Sequence, residues 1–164
     1  MTQLSKSAGI VLVLVCGFIL QALLVFADKR DTPNKAVVEF SKAYFLLDES
    51  MAERICKERL TSDEMDIVDQ YIYSAGQKAK ARGFEINFMK NELYHIETEI
   101  ISQSDTDAEV RITGKRRVAI NPVYPIVAKA FDIGAVNDVD ATIHAKMEDG
   151  KWKVCGDLFS LPTN

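Results

Sequence analysis

Residues 8–27, AGIVLVLVCGFILQALLVFA, run for twenty positions without a charge, and Gln21 is the one strongly polar side chain among them. At about 1.5 Å rise per residue such a run makes a helix of roughly 30 Å, the thickness of a bilayer's hydrocarbon core. That feature sets the organisation expected of the chain. Residues 1–30 read as an N-terminal signal-anchor transmembrane helix, and residues 31–164 as one polar domain hanging from it. The 137 residues after position 27 suffice for one compact core and are too few for two comfortable ones.

The apolar run is longer than the ~7–15 residues of a usual signal-peptide core, which favours an uncleaved anchor over a cleaved signal even though Val25-Phe26-Ala27 offers a cleavage-like site. Orientation is read from two conflicting signals. Lys29, Arg30 and Lys35 follow the helix while Lys6 alone precedes it, a balance that does not favour export by the positive-inside rule. The whole N-terminus nevertheless has the pattern of a signal sequence, so the domain is expected outside the cytoplasm, periplasmic or extracellular, beside a bacterial inner membrane. Beyond Ala27 the chain carries 19 Lys and Arg against 24 Asp and Glu. A mildly acidic domain of this kind is soluble and is not a sequence-independent nucleic-acid binder.

Asp31-Thr32-Pro33 reads as a helix start, a capping side chain followed by proline at the first helical position. Val37, Phe40, Tyr44 and Leu47 recur at helical spacing and predict an amphipathic helix ending near Asp48. A shorter helix over residues 51–60 follows, capped by Ser50. Thr61 and Glu64 have capping-box spacing and open a third helix, with Val68, Tyr71, Ile72, Ala75 and Ala79 facing inward and Gly83 as its left-handed stop. Lys78, Lys80 and Arg82 at its C-terminal end read as a solvated face that complements the helix dipole.

From Glu92 the period changes to two. Tyr94, Ile96, Thr98 and Ile100 share one face of a strand, and Ala108, Val110 and Ile112 share one face of the next, which requires an odd-numbered loop between them. Glu97 and Glu99 are then expected close to Arg111, Thr113 or Lys115 on the wet face. Gly114 before Lys115-Arg116-Arg117 marks a bulge or a turn. Residues 121–138 hold two prolines and many apolar side chains, too proline-rich for a central strand and too apolar for a free loop. Residues 140–159 give the clearest local signal: Asp149-Gly150 is a two-residue hairpin turn, pairing Glu148 with Lys151, Met147 with Trp152 and Ala145 with Val154. The same register sets His144 opposite Cys155.

AVVEFSKAYFLLD, the spacing of the third helix and the terminal EDGKWKVCGDLF together resemble the nuclear transport factor 2-like superfamily over about residues 33–160. The resemblance implies an α+β fold, a cone of three helices packed on a curved antiparallel sheet, often with a pocket between them. It also implies a range of roles: isomerases and dehydratases, ligand binders, and non-enzymatic subunits of membrane assemblies.

Candidate sites follow from the faces. His95, Glu97, Glu99, His144 and Asp157 point away from the expected interior, so no catalytic residue is assigned, and no cofactor or metal. His144 with Cys155 would supply two of the four ligands that a closed zinc site needs. Tyr44, Tyr71, Ile96, Ile143 and Trp152 are the possible pocket lining, with plain core packing as the competing assignment. A Cys56–Cys155 disulfide would close a loop of about a hundred residues, worth ~4–5 kcal/mol in the chain-entropy model, but the hairpin register turns Cys155 away from the helices and argues against it. The function expected is a non-catalytic, single-pass membrane accessory or scaffold protein. Its domain would meet a protein partner or a second copy through the sheet face, where Ile101 lies amid charges, or through residues 121–138. A binder of a small apolar ligand is the alternative, and an isomerase or dehydratase the third.

Overall fold

The computed structural model describes residues 3–28, 30–60, 66–119, 126–127, 135–157 and 161, with the side chains of the first helix described over residues 9–23. The expected capping box at Thr61 and Glu64, most of residues 121–135, and the end of the terminal hairpin at residues 158–160 lie outside the described residues. The chain divides into two units, Met1–Asp31 and Thr32–Asn164.

The first unit is helix α1, Gln3–Asp28. Its described side chains are almost all exposed, from Ile10 to Leu23, with Phe18 at 75%. Among the described residues no helix is long and apolar enough to cross a membrane.

The second unit is α+β. Helix α2, Pro33–Leu46, starts as the sequence predicts: Thr32 Oγ1 accepts the Lys35 N–H at 3.2 Å and Pro33 occupies the first turn. It ends in Leu47, whose left-handed backbone (φ 54°) turns the chain. Ala36, Val37, Phe40, Tyr44 and Phe45 are buried against the sheet. The next segment differs from the single helix expected over residues 51–60. A 3-10 turn, Glu49–Arg54, is capped by Asp48 rather than Ser50, the Asp48 carboxylate accepting the Ser50 N–H at 2.8 Å. Ile55 and Cys56 are then extended, and only Lys57–Leu60 is helical again (α3). Helix α4, Ile67–Ala81, is capped by Asp66 and stopped at Gly83 (φ 76°), with Val68, Ala75 and Ala79 buried.

Strands β1 (Asn91–Gln103), β2 (Asp107–Val118), β3 (Val136–Glu148) and β4 (Lys151–Val154) form one antiparallel sheet in the order β1-β2-β3-β4. The β1–β2 loop is the odd-numbered one expected, residues 104–106. Glu97 pairs with Thr113 and Glu99 with Arg111. β3 begins at Val136, inside the segment that the sequence left without a strand. The Asp149-Gly150 turn has both φ angles positive (51° and 75°), and the hairpin register is the one the sequence predicts, from Glu148 with Lys151 to Ala145 with Val154.

Two irregularities re-aim side chains. β1 carries a bulge between Tyr94 and Glu97, with His95 at φ 49°. The extra residue reverses the inside–outside alternation, so Leu93 rather than Tyr94 faces the core, and Tyr94 pairs with Lys115 on the other face. Opposite this bulge, β2 runs straight through Gly114. A side chain there would press on the Tyr94 carbonyl at 3.3 Å and Leu93 Cδ1 at 3.4 Å, so glycine permits the close approach. Of the bulge or turn expected at Gly114 the structure has a bulge, carried by β1 opposite it, and Arg116 falls on the same face as Ala108, Val110 and Ile112.

The second irregularity sits at the far edge. Ile55 bridges Val154 in parallel, and Cys56 N–H donates to the Val154 carbonyl at 3.0 Å. This lays residues 55–56 along the free side of β4. Cys56 and Cys155 become side-by-side neighbours with Cα atoms 5.4 Å apart, joined as a disulfide. The register argument against that bridge assumed that Cys56 approached from the helical layer. It approaches instead from the sheet edge, where the facing of Cys155 is no obstacle.

Candidate functional site

Residues of α2, α4 and the β1–β2 end of the sheet line an open pocket of about 670 Å³. One wall is a stripe of α4 at helical spacing, Ile67, Gln70, Tyr71, Ser74, Ala75 and Lys78, continued by Arg82 just past its end. Tyr44, Phe45 and Leu47 of the α2 end form another, and Met89, Asn91 and Arg116 close the base from the sheet side.

Tyr44 and Tyr71 stack nearly parallel, ring centroids 4.9 Å apart at 16°. Burial raises the pKa of both phenols above the ordinary 10.0; the interaction of the two neighbouring phenols raises Tyr71 further and restrains Tyr44. Both are neutral hydrogen-bonding groups at physiological pH. Arg116 is only 5% exposed, and its guanidinium lies over the Phe45 ring, 5.7 Å from the centroid. Desolvation lowers its pKa from the usual arginine value, with the two tyrosines acting in the opposite direction. Among the described residues the charged groups lining the pocket are Lys78, Arg82 and Arg116, all cationic.

The tyrosines carry a testable pH dependence. A phenol whose pKa is raised on folding keeps its proton in the folded state while the unfolded chain releases it. The stabilisation is therefore complete below pH 10 and is lost as pH rises above it. Denaturant titrations at increasing alkaline pH are expected to show this loss, and Tyr71→Phe to reduce it. Tyrosinate absorbance growing in at the ordinary phenol pKa for every tyrosine of the folded chain would contradict the burial.

Of the residues proposed as pocket lining, Tyr44 and Tyr71 come together in this pocket. Ile143 and Trp152 lie instead in the core cluster, and Ile96 packs against it. The sequence reading missed Arg116, which it placed only in a bulge or turn after Gly114, and treated Lys78 and Arg82 only as a solvated helix end. Strict alternation along β2 carried through Gly114 would have placed Arg116 inside. His144 lies with Nε2 3.7 Å from an Asp107 carboxylate oxygen. Glu148 has a carboxylate oxygen within 4.8 Å of both bridged sulfurs, which as a disulfide offer no thiolate to a metal.

The outer sheet face carries Glu97, Glu99, Arg111 and Thr113 around a shallow groove of about 280 Å³. Arg111 grips Asp140 through two hydrogen bonds of 2.9 and 2.6 Å. Ile101 stands 53% exposed on β1.

No family model and no curated protein matches the chain. Among solved structures it is similar to an NTF-2 like protein of unknown function from Shewanella oneidensis MR-1, at 13% sequence identity and a TM-score of 0.41, over 75% of this chain and 94% of that one.

Proposed function

We propose that the Thr32–Asn164 unit is a non-catalytic small-molecule-binding domain held at a membrane by the N-terminal helix. The observation that carries the reading is the pocket of about 670 Å³ between α2, α4 and the sheet, a volume in the range of ligand sites. Its ionisable lining favours binding over acid–base turnover. Burial holds the two phenols of the lining protonated near neutral pH. An isomerase or dehydratase would want a carboxylate or histidine at that wall, and among the described residues none lines it.

The anchor is supported by the exposed apolar side chains of α1 and by the uncharged run around them. Placement of the domain outside the cytoplasm is supported by the Cys56–Cys155 bridge, since disulfides persist in oxidising compartments. That support outweighs the contrary charge balance of Lys29, Arg30 and Lys35.

The experiment is a screen of small aromatic fragments, neutral and charged, against the isotopically labelled full chain in mild detergent. Amide shifts clustered at Tyr71, Ser74, Asn91 and Arg116 are expected. A screen in which no fragment perturbs those positions would sink the reading. The accessory or scaffold role is the second reading, favoured by exposed Ile100 and Ile101 on the sheet. It requires a stable partner or a second copy to co-purify in mild detergent, and a chain recovered alone and monomeric would remove it.

A further inference from the structure

We propose that the pocket selects an organic anion, an aromatic carboxylate, whose charged end meets Arg116 and whose flat body lies along the Tyr71 side of α4. This rests on the reading of the pocket as a ligand site and adds the chemistry of what enters it.

Three observations converge. The first is the sign of the lining: among the described residues Lys78, Arg82 and Arg116 are its charged groups. The other polar lining groups, Gln70, Ser74, Asn91 and the tyrosine hydroxyls, are neutral. A cationic ligand would meet three like charges, whereas an anion would meet three opposite ones.

The second is depth. Lys78 and Arg82 are exposed at the rim, while Arg116 is 5% exposed at the base. Rim cations raise the local concentration of anions and speed their entry. The buried guanidinium then acts at low effective dielectric, where a charge-assisted hydrogen bond discriminates strongly. Arg116 is held for that role from two directions. Its backbone belongs to β2, in register with Leu93 on one side and Asn137 on the other, and its guanidinium rests on Phe45.

The third is the apolar body of the pocket. Tyr71 is half-buried, backed by the fully buried Tyr44 ring, and is flanked by Ala75, Ile67 and Leu47. A rigid aromatic surface beside a basic group suits a flat ring that bears a carboxylate. An aliphatic cation has nothing comparable to meet there.

The test uses three probes of one shape and different charge on the full chain in mild detergent: naphthoate, the neutral naphthamide and the cationic naphthylmethylammonium. Calorimetry gives affinity, and amide shifts at pocket positions give location. Naphthoate is expected to bind at least about tenfold more tightly than naphthamide, as for loss of a charge-assisted contact, and the cation not to bind. Arg116→Gln is expected to erase the preference for naphthoate over naphthamide. Lys78→Gln with Arg82→Gln, at exposed positions, is expected to weaken naphthoate several-fold and to flatten its salt dependence, as removal of rim charge does. That pair also keeps the test open if Arg116→Gln does not fold. Equal affinity of wild type for naphthoate and naphthamide overturns the anion proposal and leaves the ligand pocket standing. Absence of pocket shifts with all three probes removes both.

Discussion

Opening the Cys56–Cys155 bridge lowers the thermal midpoint of the folded domain by roughly 10–20 °C. The bridge joins residues 99 apart in sequence, and closing a loop of that size removes denatured-chain entropy worth about 4–5 kcal/mol in the chain-entropy model. The double change Cys56→Ser with Cys155→Ser is expected to fold nonetheless, because the backbone contacts beside the bridge remain. Cys56 N–H still donates to Val154, Cys155 N–H to the His144 carbonyl at 2.8 Å, and Lys57 N–H to the Glu148 carboxylate at 3.1 Å. Circular dichroism melts with and without reductant measure the effect. The reduced wild type and the double variant should coincide. Cys16→Ser, at the exposed free thiol of α1, should change nothing. A reductant-induced shift of less than about 2 °C would mean that the bridge does not constrain the unfolded chain, or does not form, since its expected worth is several kcal/mol.

What the sequence made legible here was local or periodic. Thr32 and Pro33 specify a helix start through their own chemistry, and Asp149-Gly150 specifies a turn whose hand sets the register of every pair that follows it. The alternation of Ala108, Val110 and Ile112 identifies the buried face of β2. What stayed hidden depended on residues far apart in the chain. Nothing in the neighbourhood of Ile55 says that it will lie against Val154, so a helical spacing over residues 51–60 looked continuous where the fold interrupts it. The bulge at His95 is likewise set by the partner strand, where Gly114 lets the β1 backbone come close. A single inserted residue exchanged Tyr94 for Leu93 on the inner face. The candidate site was half legible for the same reason. Tyr44 and Tyr71 follow from helical periodicity, whereas Arg116 is a charged residue on an apolar face, and composition alone sends such a residue to the surface.

Trp152 puts the division between core and pocket to a direct test. It is the chain's single tryptophan, 4% exposed, paired with Met147 across the β3–β4 hairpin and packed in the cluster that holds Phe40, Ile55 and Val154. Trp152→Ala removes a large buried side chain and leaves a cavity between α2 and the sheet, at an expected cost of about 3–5 kcal/mol. Urea unfolding followed by circular dichroism measures it, since the variant lacks its own fluorophore. Trp152→Phe keeps most of the volume, and a loss of less than about 2 kcal/mol is expected. A residue lining an open pocket would give the opposite pattern. Truncation there enlarges space that solvent already reaches, so stability changes little while ligand affinity changes much. For Trp152 the expected result is a large loss of stability from the alanine variant, together with unaltered naphthoate affinity in the phenylalanine variant. A stable Trp152→Ala protein with altered affinity would return Trp152 to the pocket wall and move the ligand site from the α4 face toward the hairpin.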